Sequence, residues 1–202
     1  MNQLKCNNIQ AGDVMLKIYD GSIFSRVISL GQMGQVNSKV VHAGLMFDSN
    51  YIIEAQGSGI SANDIRVQNK QVAYIMYRPI NSFMAKGAGT CAKMLFDIQH
   101  QHGSIKYNLL GTIMTRFGRS GKAKTPQDMD ELLDNVLAGK QSRMFCSQFV
   151  VYVYQFVAEQ CGISANQVFG ISDDKASPSA LASILQYNPA FQEVGYMISN
   201  ER

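Results

Sequence analysis

The first part of the chain alternates short apolar runs with turn residues, and the later part carries longer apolar segments. Asp13 to Ile18 reads as a strand entered through Ala11-Gly12, and Asp20-Gly21-Ser22 offers a cap for a short helix over Ile23 to Leu30. Gly31 to Lys39 is a polar, glycine-bearing loop. Val40 to Phe47 and Tyr51 to Ala55 read as two strands joined by Asp48-Ser49-Asn50, a linker short enough to make them antiparallel neighbours. A further strand, Val72 to Arg78, follows a loop around Gly57-Ser58-Gly59.

Helical spacing governs Phe83 to about His100, with Ser82 as its cap and Cys91 on or near its apolar face. Met144 to Gln160 carries apolar or aromatic residues on nearly every side, which predicts a helix buried in the middle of a domain. Such a β-branched and aromatic run also suits a buried strand. Its length favours the helix, with Gly162 closing it in a left-handed cap. Ser177-Pro178 starts another short helix through Gln186, and Val194 to Ile198 reads as a final strand. The expected fold class is α+β: an antiparallel sheet packed on a buried helix.

Length and composition narrow this further. The chain has 202 residues, 46% of them hydrophobic and 16% charged, which suits one compact domain and excludes a disordered chain. No run reaches the roughly 18 apolar residues of a membrane-spanning helix, so no transmembrane segment is expected. A net charge of +3 without a basic stripe argues against nucleic acid as a partner. The N-terminus shows no signal-peptide pattern, so the expectation is a protein made in the cytoplasm, or exported by a secretion system that reads no such signal. Residues 111–143 begin with Arg116, Arg119, Lys122 and Lys124 and continue as a short acidic helix from Thr125-Pro126; we read the segment as an insertion or lid on a single domain spanning 1–202.

The four cysteines, Cys6, Cys91, Cys146 and Cys161, form no Cys-x-x-Cys pair, so free thiols are expected. Cys146 falls in the first turn of the buried helix, where free backbone N–H groups and the helix dipole favour a thiolate. His42 lies in an apolar strand with Gly44 on the same face, leaving room beside the imidazole for a substrate or another side chain. Glu54 sits in the neighbouring strand and is placed to orient that imidazole. Each also has an ordinary reading: a small buried hydrophobe, a satisfied core histidine, a solvent-facing strand residue. His100-Gln101-His102 lacks a third ligand of obvious spacing, so no metal and no cofactor is expected.

Ala11-Gly12-Asp13-Val14, Ser38-Lys39-Val40-Val41-His42-Ala43-Gly44, Ile53-Glu54-Ala55 with Gly59-Ile60, Lys106-Tyr107-Asn108 and Phe145-Cys146-Ser147 together resemble the circularly permuted papain-like amidases of the YaeF/YiiX type. These are the permuted branch of the NlpC-type cell-wall peptidases, related in arrangement to the lecithin:retinol acyltransferases. In papain the cysteine helix precedes the histidine strand; here His42 comes first, which is the permuted order. The resemblance implies a permuted papain-like fold with Cys146 as nucleophile, His42 as general base and acid, and Glu54 as orienter. It makes Tyr107, Ser147 and Gly44 candidates for substrate or oxyanion binding, beside the backbone N–H of Cys146. The chain departs from the family pattern in the length of 111–143 and in carrying Asn108 where an acidic residue is common.

The expected function is therefore that of a cysteine hydrolase of amide or peptide bonds, with bacterial cell-wall peptides (peptidoglycan) as substrate. An exported antibacterial toxin effector of this kind would have a cognate immunity or inhibitor protein as partner. Two other readings use the same residues: a lipid acyltransferase or deacylase working through the same thiol, and a catalytically silent binding module.

Overall fold

The computed structural model describes residues 8–18, 39–56, 59–67, 72–101, 145–171 and 176–198. Within them the chain runs β1 (Val14–Ile18), β2 (His42–Met46), β3 (Tyr51–Gln56), β4 (Gly59–Asp64), β5 (Ala73–Pro79), α1 (Ser82–Gln101), α2 (Phe145–Gln160), α3 (Ala165–Phe169), α4 (Pro178–Tyr187) and β6 (Phe191–Ile198). The strands form one antiparallel sheet in the order β4-β3-β2-β1-β5-β6. The fold class is thus α+β, six strands and four helices among the described residues.

Alternation gives each strand two faces. Val14, Leu16, Ala43, Leu45, Ile53, Ala55, Ile75 and Tyr77 face the apolar sides of α1 and α2 in one continuous core. Met15, Met46, Ile52, Tyr74 and Met76 belong to a second buried cluster on the other face. His42, Gly44 and Glu54 follow the alternation of Met46 and Ile52, and so lie on that second face at the start of β2.

The helix α2 is the centre of the molecule, as the all-round apolar pattern predicts. Phe149, Val150, Val151, Val153, Tyr154, Val157 and Ala158 are essentially inaccessible, and burying each large apolar side chain contributes about 1.5–3 kcal/mol. Gly162 ends the helix at φ 75°, and the N–H groups of Gly162 and Ile163 return to the carbonyls of Glu159 and Ala158. Tyr154 meets Phe169 and Phe191 edge-on at centroid distances of 5.9 and 5.2 Å, and its hydroxyl donates to the carbonyl of Gly12.

Asp13, which precedes β1, is fully buried and takes a two-point contact from Arg78 of β5, Nε to Oδ1 and Nη2 to Oδ2, both at 2.7 Å. The turn before it needs glycine. Gly12 has φ 85°, and a Cβ there would stand 2.1 Å from the carbonyl oxygen of Ala85. The Ala-Gly-Asp-Val stretch therefore serves the fold by pinning the start of β1 to β5 and α1.

Several sequence expectations are revised. The cap of α1 is Asn81, whose Oδ1 accepts from the N–H groups of Phe83 and Met84, while Ser82 is already helical. Gly59, expected in a loop, opens the strand β4, and the residues after it carry no predicted element; their Ser and Asn weaken the apolar alternation on which a strand reading depends. The helix α3 escaped notice because a single turn is too short to show a period. Ser177 caps α4 as expected, accepting from Ala180 N–H with Pro178 in the first turn. The helix expected over Ile23 to Leu30, the loop before Lys39, the Gly57-Ser58 turn, Cys6, Tyr107, His102 and the segment 111–143 lie outside the described residues.

Candidate active site

Three elements bring the site together at one end of the sheet. The N–H groups of Met46 and Phe47 donate to the carbonyls of Asp13 and Tyr51 respectively, on the β1 and β3 sides of β2. Pairing between β2 and β3 covers only Leu45↔Ile53 and Met46↔Ile52. At Ala43 the two strands have parted, and the Ala43 N–H donates to the sulfur of Cys146 in the first turn of α2. The Ser147 N–H donates to the same sulfur. The nucleophile candidate thus sits where a splayed strand pair and a helix N-terminus both offer N–H groups to an anion.

The imidazole of His42 hydrogen-bonds the Cys146 side chain on one side and meets Glu54 on the other, where Nε2 lies 3.1 Å from Oε1. That second contact is within ion-pair range but off the N–H axis, so it is a charge contact more than a linear hydrogen bond. Glu54 is 2% exposed and can reach the ring because it passes over Gly44. A Cβ on Gly44 would stand 2.6 Å from Ile52 Cδ1 and 2.9 Å from Glu54 Cγ. Of the two uses foreseen for the space beside the imidazole, the Ile52 and Glu54 side chains take the part next to Gly44.

The electrostatics follow from these contacts. Burial disfavours charge on all three groups, and their mutual contacts outweigh it. Against burial, the hydrogen bond to Cys146 and then Glu54 raise His42 to about 9. Against burial, His42 and the N–H groups of Ala43 and Ser147 hold the Cys146 thiol below its ordinary value. Glu54 is likewise pushed up by burial but held below the usual carboxylate range by His42, Asn63 and Lys17. These shifts move the balance of the pair toward thiolate and imidazolium, with the carboxylate behind them.

Ser147 is fully buried, and its hydroxyl donates to the carbonyl of Ala176. Its side chain anchors the first turn of α2 to the segment before α4, so its part at the sulfur belongs to its backbone. Sequence reasoning missed Asn63, whose Nδ2 donates to Glu54 Oε2 at 2.7 Å. The available signal was its place two residues beyond the position opposite Glu54, visible only once Gly59–Asp64 is known as a strand. Cys91 is buried on the inner face of α1, with its thiol pushed up to about 12 by burial alone, and Cys161 is exposed beyond α2. His100 Nδ1 sits 2.8 Å from the carbonyl oxygen of Phe96 in its own helix. Among the described residues no three His, Cys, Asp or Glu side chains are grouped to hold a metal ion, and no helix is long and apolar enough to cross a membrane.

No family model, no curated protein and no solved structure matches this chain. The reading of the site therefore rests on its own residues.

Proposed function

We propose that the chain is a cysteine hydrolase of amide bonds with a permuted papain-like arrangement, in which Cys146 is the nucleophile, His42 the general base and acid, and Glu54 the orienter. The observation that carries this reading is the continuous thiol–imidazole–carboxylate contact, with the thiol lowered and the imidazole raised. A core histidine that merely packs has no use for an anion on each side.

The chemistry follows in order. The Cys146 thiolate attacks the carbonyl carbon, and the negative charge moves to the carbonyl oxygen, which the backbone N–H of Cys146 at the helix start is placed to receive. The His42 imidazolium gives its proton to the leaving amine as the C–N bond breaks. The neutral imidazole then takes a proton from water, which attacks the acyl-thioester and frees the acid and the thiol. Glu54 holds the ring and stabilises its charged form throughout.

Peptides of the bacterial cell wall are the proposed substrate class, by the resemblance of the His42 and Cys146 motifs. The test is incubation of purified chain with peptidoglycan, followed by mass spectrometry for new amine and carboxyl ends. Release dependent on both Cys146 and His42 supports the reading. Fatty acid released or transferred from glycerolipids, with peptidoglycan uncut, replaces it with lipid acyl transfer. A biological effect that survives Cys146→Ala replaces both with a binding role.

A further inference from the structure

The contacts on the far side of Glu54 extend the site by one strand. In the β3–β4 pairing Glu54 stands opposite Ser61, and Asn63 opposite Ile52. Ser61 and Asn63 therefore share the face that carries Glu54, with Asn63 as its diagonal neighbour, a spacing that long polar side chains bridge. Asn63 Nδ2 has two hydrogens and two acceptors: Glu54 Oε2 at 2.7 Å and Ser61 Oγ at 3.3 Å. The Ser61 hydroxyl in turn lies 3.5 Å from the Glu54 carbonyl oxygen. Turning the amide over would set Oδ1 against a carboxylate oxygen, so the donor orientation is the one the site enforces.

The two carboxylate oxygens thus have separate tasks. Oε1 faces His42 and Oε2 faces Asn63. A long glutamate side chain with only the imidazole as partner has several rotamers open to it, whereas one tied at its second oxygen to the adjacent strand has its first oxygen fixed. We infer that Asn63 is a positioning residue that holds the Glu54 carboxylate against His42, making the site a four-membered chain from α2 across β2 and β3 to β4.

This rests on the proposed roles of His42 and Glu54, and no contact with a substrate is assigned to Asn63. The charged or titratable groups that bear on Glu54 are His42 on β2, Lys17 on β1 and, through the imidazole, Cys146 on α2. On β4 the next residue, Asp64, is engaged with Arg66.

The test is the titration of the His42 ring by NMR in the full chain carrying Cys146→Ala, which takes the thiol away and leaves burial and the Glu54 carboxylate to set the imidazole's affinity for its proton. In that parent, His42 is expected to titrate above the ordinary histidine range, and Glu54→Gln to bring it down. Asn63→Leu, which removes the donor and keeps water out, is expected to lower the His42 midpoint by about one pH unit, while a role confined to folding would leave the midpoint in place. Asn63→Ala serves the same purpose if the leucine variant does not fold. A titration in either folded variant that superimposes on the parent's overturns the role of Asn63 alone. An unshifted His42 in the parent that ignores Glu54→Gln overturns the base–carboxylate reading itself, and the role of Asn63 with it.

Discussion

Gly44 is the gap through which Glu54 reaches His42: the carboxylate-bearing side chain passes where any Cβ at 44 would stand 2.9 Å from its Cγ. Gly44→Ala is therefore expected to damage the site and the fold together. Overpacking of this kind costs about 1–3 kcal/mol, measurable by urea unfolding. Displacing the carboxylate is expected to slow turnover by up to about 100-fold, measured on whichever amide substrate the chain cleaves.

The three described cysteines should separate by reactivity. Cys146 is expected to be alkylated by iodoacetamide fastest of the three at pH values below the ordinary thiol range, because its lowered thiol carries the larger thiolate fraction there. Cys161, exposed beyond α2, is the internal reference, and Cys91, buried with its thiol pushed up to about 12, should react only on unfolding. Site-resolved mass spectrometry reads all three at once. His42→Ala should slow Cys146 to the reference rate and leave Cys161 untouched; an unchanged Cys146 would falsify the pairing.

Turnover should trace a bell with pH. Its acid limb comes from protonation of the Cys146 thiolate, below the ordinary value of 9.0, and its alkaline limb from loss of the His42 proton at about 9. Stability has its own profile. The His42 contribution is full below its unfolded value of 6.5 and is lost as pH rises through about 9. The Cys146 contribution is full above its unfolded value of 9.0 and is lost as pH falls through its lowered folded value. Where the two windows overlap the two changes in bound protons oppose one another, so the pair's part of the stability should vary less with pH than either contribution alone. Chemical denaturation of the parent and of the Cys146→Ala/His42→Ala double variant across pH 5 to 10 isolates that part.

Arg78→Met should destabilise the chain far more than its surface position suggests. It leaves the fully buried Asp13 without the guanidinium that meets both of its oxygens at 2.7 Å. Breaking a buried pair from one side typically costs about 3–5 kcal/mol. Replacing both partners, Asp13→Asn with Arg78→Met, should recover part of the loss, and a double-mutant cycle in urea checks the coupling.

What the sequence revealed follows from how each contact is made. The helix α2 was legible because a run apolar on every side has one economical home, and β2 and β3 because two apolar runs flank a short polar link. From those two strands, His42 and Glu54 were recognisable as neighbours. The role of Gly44 was open, since a missing side chain marks a space without naming its occupant. Asn63 stayed hidden for a different reason: Gly59–Asp64 is an edge strand whose outer side needs no apolar alternation, and Ile60 is secured there by Gln99 of α1, whose Oε1 accepts its N–H at 2.6 Å. Long-range side-chain ties of that kind leave no local pattern. The cap at Asn81 was missed by one position, because Ser and Asn are both good caps and only the direction of the side chain separates them.

The parting of β2 and β3 at Ala43 means that the thiol has no anion site of its own until α2 is seated in the sheet. A newly made chain carries its base and carboxylate from early on, yet its late cysteine remains a common, largely protonated thiol while the two are apart. Chemical hazard is thereby tied to completion: a truncated or misfolded copy is no more reactive than any cysteine-containing polypeptide, and labelling of Cys146 in a crude extract would count the molecules that have finished folding.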